Sequence, residues 1–321
     1  MKATVVALVL CVCLTGAQAT PAFEGYAVTP SCDARCLEEF ANRYLDALPT
    51  HDVSRLPWAD KVKFSENNVW LHPGDGLWGT ATARPTMMLL FTDPQSGQVG
   101  GLGLVEQRGQ PAYFALRLRI IQGRIAEVET LTNQPDPARP PSPAAGDPRL
   151  LAHYPVMGQV LAPAQRTPRL RMIDLANGYF STLQLNDGKI FTAFSADCRR
   201  QENGFESAGN PHFDRPEGKL SCGEQFKTGT FIFDTAVRDR EYLMVDEVHG
   251  LVLARAFIDH NAAAAEDHLA DGSVVKSYIK SPNSLSMLEL FHITAGSIDR
   301  IEVVHIAVPY GMPSVWRRDS D

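Results

Sequence analysis

The sequence predicts an α+β protein built from two tandem units, each opening on helix and closing on a long antiparallel hairpin. Three observations carry this. The segment Asn133 to Pro148, NQPDPARPPSPAAGDP, holds six prolines, which suit neither a helix nor a central strand, so it divides the 321-residue chain. The stretch FSENN (Phe64 to Asn68) before it has a paler copy after it, FSADCRRQENG (Phe194 to Gly204). Each half also ends on a glycine turn followed by an alternating strand, GRIAEVETL from Gly123 and GSIDRIEVVHI from Gly296. Because order recurs as well as letters, internal duplication is the economical reading.

Residues 1–19 read as a secretory signal peptide. Lys2 gives the positive start, Ala3 to Leu14 the apolar run, and Ala17-Gln18-Ala19 the cleavage site. Roughly a dozen apolar residues fall short of the ~20 that span a bilayer. The expected location is therefore secreted or periplasmic, with no membrane partner after cleavage. A net charge of −7 with no basic run argues against a nucleic-acid partner.

The first unit is placed at 30–132. Its helix, Cys36 to Leu48, repeats Cys36, Phe40, Tyr44 and Leu48 every four residues, with Asp33 as cap and Pro49 as stop. Strands follow at Thr86 to Thr92, Val99 to Arg108, Ala112 to Gln122 and Arg124 to Leu131. The proline-rich linker takes 133–164 and is expected to run extended as a spacer or strap.

The second unit, 165–312, repeats the order. A helix at Arg171 to Leu185 is broken by Asp187-Gly188, and Ile190 to Phe194 reads as a short helical or bent piece. Strands are expected at Gly229 to Arg240, Leu251 to Asp259, Ser286 to Thr294 and Ile298 to Val308. The extra length of this half points to an insertion at Asn261 to Ser284.

Cys11 and Cys13 leave with the signal. Of the three pairings open to the other four cysteines, proximity favours Cys32–Cys36 and Cys198–Cys222. The second would close a loop around QENG and contribute about 3 kcal/mol in the chain-entropy model. CxxxC has no second ligand pair at a fitting spacing, so no metal is expected.

The segments CRRQENG, CGEQF, IFDTAVRDREYLMVDEVHGLVLARAFIDH and GSIDRIEVV resemble the superfamily of nuclear transport factor 2 and ketosteroid isomerase, often called SnoaL-like. The first half, with Cys32-x-x-x-Cys36, YLDAL and FSENNVWLHPGDGLWGT, is similar to a secreted branch of the same group. The resemblance implies cone-shaped units, helices packed on a strongly curved antiparallel sheet around a mostly apolar pocket. Members range over isomerases, dehydratases, cyclases, hydrolases, lyases and proteins that only bind, so fold alone assigns no activity.

Such a pocket works without a cofactor by shifting the pKa values of buried groups toward neutrality. Candidate catalytic residues are Asp246 in VDEVHGL, Arg255, Asp259 and His260 in LVLARAFIDH, His292 in MLELFHIT and His305 in RIEVVHIAV. Strand alternation sets Arg255, Phe257 and Asp259 on one face and His260 on the other. Each has a plainer reading: a histidine in an apolar row as a core residue, Asp246 as part of a solvated turn. Tyr179, Arg199, Glu202, Asn203 and Phe257 are candidate ligand contacts, although the recurrence of Glu-Asn in both halves also fits a turn-building role. The absence of GxSxG, HExxH and GxxxxGK disfavours the corresponding hydrolase, metalloprotease and phosphate-binding sites.

The expectation is thus an exported lyase, dehydratase or isomerase acting on a small hydrophobic or aromatic molecule in the second unit. The other reading is a non-catalytic binding or interaction module. In either case the two units are expected to pack sheet to sheet as an intramolecular pseudo-dimer.

Overall fold

The structure, a computed structural model, describes residues 32–317 except 137, 139–145, 264, 270, 271 and 278. The signal-peptide assignment lies outside the described residues. The first unit runs α1 (Ala34–Ala47), β1 (Trp58–Glu66), β2 (Val69–Trp70), β3 (Thr86–Asp93), β4 (Gln98–Gln107), β5 (Gln110–Ile121) and β6 (Arg124–Asn133). The second runs α2 (Arg169–Leu185), β7 (Phe194–Glu202), β8 (Phe205–Ala208), α3 (Pro216–Lys219), α4 (Cys222–Lys227), β9 (Ala236–Asp246) and β10 (Leu251–His260). A small hairpin, β11 (Glu266–His268) and β12 (Val274–Lys276), precedes β13 (Asn283–Thr294) and β14 (Ser297–Val308).

The two large sheets share one connectivity, β2-β1-β6-β5-β4-β3 and β8-β7-β14-β13-β10-β9. In each, one parallel pair, β1 with β6 and β7 with β14, joins an otherwise antiparallel array. β1 and most of β7 escaped the sequence reading, because WADKVKFSE and FSADCRRQE mix charge into both faces. The expected strand at Gly229 begins only at Ala236. Gly229 takes φ +70°, and the Asn186 amide holds Gly229 O and Phe231 N, so the chain turns there instead. Phe194 opens β7, so no helical piece reaches it. The β11–β12 hairpin falls where the insertion was expected.

The Glu-Asn pairs lead into tight turns. Glu66 and Glu202 end β1 and β7, and Asn67-Asn68 and Asn203-Gly204 are two-residue hairpin turns with positive φ throughout. Each first asparagine also clamps the neighbouring strand. Asn67 accepts from Thr132 N at 2.8 Å, and Asn203 accepts from His305 N at 3.1 Å and donates to its carbonyl at 3.0 Å. Asn67→Ala is therefore expected to cost about 2 kcal/mol, from the lost clamp and the left-handed backbone. Urea denaturation should show that loss, and Asn67→Gly should recover the backbone share.

α1 is capped by Asp33 on Cys36 N and buries Leu37, Phe40, Tyr44 and Leu45 against its sheet. α2 ends on Asn186 in the left-handed region and buries Met172, Leu175, Tyr179, Phe180 and Leu183. Both expected disulfides are present, Cys32–Cys36 and Cys198–Cys222. No helix among the described residues is long and apolar enough to cross a membrane.

The faces turned away from α1 and α2 pack on each other, bringing Phe91, Leu102 and Leu131 against Leu253, Leu288 and Leu290. Of the two expectations, spacer or strap, the described part of the linker is a packed strap. Met157 is fully buried, and His153 and Tyr154 N both bond Glu302 on β14. The tail beyond β14 crosses back to the first unit, where Asn68 holds Pro313 O and Val315 N and Trp316 donates to Ser65.

Candidate functional site

Hydrophobic residues fill the inner face of the first sheet, whereas polar ones collect on that of the second. Arg200 and Glu202 of β7, His260 of β10, Glu289 of β13 and His305 of β14 face Tyr179 of α2. Phe231, Phe233 and Asp234, from the loop before β9, complete a cavity of about 60 Å³. Strand pairing fixes the pattern: Glu202 and Glu289 both sit beside Val303, on opposite sides, two strand spacings or about 10 Å apart. His305 lies two residues farther along β14, on the same face.

Arg200 is buried and fully engaged. It donates to Ser207 (3.1 Å), Tyr179 (3.4 Å) and Gln225 (2.8 Å), pairs with Glu202 at 2.9 Å, and lies over the rings of Phe226 and Phe231. The Tyr179 hydroxyl also bonds Glu289, but the other Glu289 carboxyl oxygen has no partner. Burial outweighs that bond and the nearby guanidinium, and pushes the Glu289 carboxyl up to about 8. At neutral pH this side chain is an acid holding its proton.

His305 is in the complementary state. Both ring nitrogens are buried without a partner, and burial pulls its pKa below the ordinary 6.5, leaving a neutral imidazole. Its backbone is held by Asn203 on both polar groups and by Asn133 of the first unit on the carbonyl. His260 differs. One ring nitrogen meets Asp234 at 2.9 Å, and the other meets Asn283 Oδ1 at 3.1 Å, with the Asn283 nitrogen committed to Ser281 O. Burial lowers its pKa, but the bond to the Asp234 carboxylate and the Asn283 contact raise it further, so the imidazolium is favoured.

Of the residues singled out from sequence, Tyr179, Glu202, His260 and His305 line this cavity. Asn203 serves the turn and the His305 backbone. Arg199 points to the opposite face of β7, bonding Glu206 at 2.6 Å. Arg255, Phe257 and Asp259 lie on the outer face of β10. Arg255 binds Glu129 of the first unit, Phe257 lies under Arg238, and Asp259 binds Arg238 and Ser284. His292 also faces outward, onto Asp299. Asp246 accepts from Val248 N, His249 N and the His249 ring, which makes it a turn residue.

Three cavity groups went unnoticed: Arg200, Asp234 and Glu289. Parity could have found Glu289, because it shares a face with Met287 and Phe291 in SMLELFHIT, whereas His292 does not. Among the described residues no group of three or more His, Cys, Asp or Glu is placed to hold a metal ion.

Fold and site together define an α+β protein with two six-stranded mixed sheets, the second enclosing a small titratable cavity. A family described only as a domain of unknown function, DUF8021, matches residues 165–305, the half that holds the cavity. An NTF-2-like protein of unknown function from Burkholderia xenovorans LB400 is 13% identical, with a TM-score of 0.25 over 32% of this chain and 87% of its own. A provisionally named isomerase from Bacillus subtilis is 12% identical, with a TM-score of 0.27 over 43% of this chain and 87% of its own. No curated protein matches the chain.

Proposed function

We propose that this chain is an exported, cofactor-independent acid–base enzyme, a lyase, dehydratase or isomerase, working in the cavity of its second unit. The observation that carries the reading is the convergence of three unpartnered buried polar atoms, Glu289 Oε2 and both His305 ring nitrogens, on one cavity. Each unmet group costs about 1–3 kcal/mol, which a bound molecule would recover. The reaction follows from their charge states. Neutral His305 takes a proton from a carbon next to a carbonyl while Glu289 donates its proton to the carbonyl oxygen. Returning the first proton to a different carbon, as the enol oxygen gives its proton back to Glu289, isomerises the molecule; departure of a leaving group that takes the proton from His305, with the same return to Glu289, instead gives elimination. Asn203 positions His305, and Tyr179, itself held by Arg200, positions Glu289.

The two units are, in this reading, copies of one cone-shaped fold of the nuclear transport factor 2 kind, joined as a pseudo-dimer. Their shared strand order and outer-face packing support it. The non-catalytic reading fits the first unit. Aligning Asn67 N on Thr130 O with Asn203 N on Val303 O puts Leu116 where Glu289 stands, Phe64 for Arg200 and Thr132 for His305. That interior is packed with Tyr44, Phe64, Trp78 and Phe114 and has no acid–base pair of this kind. The two disulfides support passage through an oxidising compartment.

The test is deuterium uptake from D2O into small enolisable carbonyl compounds, followed by NMR. Catalysed exchange is expected to be greatest between the depressed pKa of His305, below 6.5, and about 8, and to fall on either side. His305→Gln should slow it by about 10²–10⁴-fold and remove the acid limb. Exchange that is unchanged in this variant, with the fold intact, would end the assignment.

A further inference from the structure

The cavity's size and its ledger of committed donors narrow what it can hold. An engineered protein cavity of about 150 Å³ takes benzene, and this one, at about 60 Å³, has less than half that room. Its walls include Phe231, Phe233, Ile258, Met287 and Val303, packed side chains that do not yield a ring's width without moving.

Charge narrows it further. The two cations at the cavity are already spent: Arg200 on Glu202, Ser207, Tyr179 and Gln225, and His260 on Asp234 and Asn283. Glu202 and Asp234 already occupy these two groups, each at 2.9 Å. An entering carboxylate would find no uncommitted guanidinium or ammonium among the lining residues and would add a charge to a desolvated site. What remains unmet is the Glu289 oxygen and the His305 ring, a pairing that asks for one acceptor oxygen beside a group that can face an imidazole.

We infer that the ligand of this cavity is a small uncharged carbonyl compound of about four heavy atoms, and that the site turns away carboxylates and aromatic rings alike. This deepens the proton-transfer reading of the same cavity and puts an uncharged carbonyl compound in place of the small hydrophobic or aromatic molecule expected from sequence.

The experiment offers acetone, acetamide, acetate and benzene separately to the full chain at pH 7, with binding read by saturation-transfer NMR. Acetone and acetamide are expected to bind saturably, and acetate and benzene to give no competing signal. Glu289→Leu, which installs the residue the first unit carries, should weaken acetone binding at least tenfold while its thermal midpoint shows a folded protein. Acetate binding as tight as acetamide, benzene binding, no binding of either carbonyl compound, or a folded Glu289→Leu variant with undiminished acetone binding would each overturn the inference. Acetone that binds but takes up no deuterium would remove the proton-transfer reading and leave the ligand class standing, so the two failures are separable.

Discussion

Glu289→Gln should leave a folded protein whose catalysed proton exchange falls by about 10²–10⁴-fold and whose stability lacks the part of the decline between pH 5 and pH 8 that Glu289 causes. The sign follows from linkage. In the unfolded chain Glu289 releases its proton near the ordinary 4.5, whereas in the folded protein burial holds it to about 8. Below the lower value both states are protonated, and the group favours neither. Between the two the native state binds the extra proton, so stability drops as pH rises. The full shift corresponds to roughly 5 kcal/mol, an upper figure because a buried site relaxes as it ionises. Glutamine keeps the shape and the contact with Tyr179 but cannot ionise. Urea denaturation at pH 5 and pH 8 should therefore converge for the two proteins at the lower pH and show the variant more stable by a few kcal/mol at the higher. Equal pH dependence in both would mean that Glu289 is charged in the folded state and cannot serve as the acid.

Much of the fold was legible because it rests on local signals. Asp33 and Pro49 bracket α1, Asp187-Gly188 follows α2, and Gly123 and Gly296 mark the closing hairpins, which alternate cleanly. The site was legible only in part, because each side chain's destination depends on strand parity, which a one-residue choice inverts. Arg199 and Arg200 are indistinguishable in CRRQENG until β7 pairs with β14, and only the second then faces the cavity. The histidines drew attention in MLELFHIT and LVLARAFIDH, yet one of them faces Asp299 and the other the cavity. Glu289 was passed over because a lone glutamate in an apolar strand looks like a surface residue until a second sheet or a helix covers it. Asp234 lies in a segment read as strand, so its approach to His260 had no sequence signature.

Two sheets of one connectivity have different interiors, and the difference comes down to a few positions. Leu116, Phe64 and Thr132 stand in the first interior where Glu289, Arg200 and His305 make the second polar. The first unit has Glu66 at the position of Glu202, but its carboxylate is turned to bond Leu77 N with both oxygens and so caps a short turn. The first interior is packed with apolar side chains, and the second carries the cost of unmet groups.

Arg255→Met should be the most destabilising single change at the junction of the units, costing about 3–5 kcal/mol without altering ligand binding in the cavity at permissive temperature. Arg255 lies 3% exposed between the sheets, with two bonds to Glu129 at 2.6 and 2.7 Å and one to Glu241 at 3.0 Å. Arg117 shares Glu129 from the other side at 2.9 Å, and the Trp316 ring lies against both guanidiniums. Burial raises the pKa of Glu129, but the two arginines more than offset it and hold the carboxylate ionised. Removing one arginine leaves buried negative charge only partly balanced, and methionine, unbranched but shorter and apolar, offers it no donor. Because Glu129 belongs to β6 and Arg255 to β10, the loss should appear as a weaker docking of the two units, visible as a lower urea midpoint. Adding Glu129→Gln to Arg255→Met should recover part of it, since the orphaned charge is then gone. A collapse of proton exchange in a folded Arg255→Met protein would contradict this placement, because the guanidinium faces the opposite side of β10 from His260 and reaches no atom of the cavity wall.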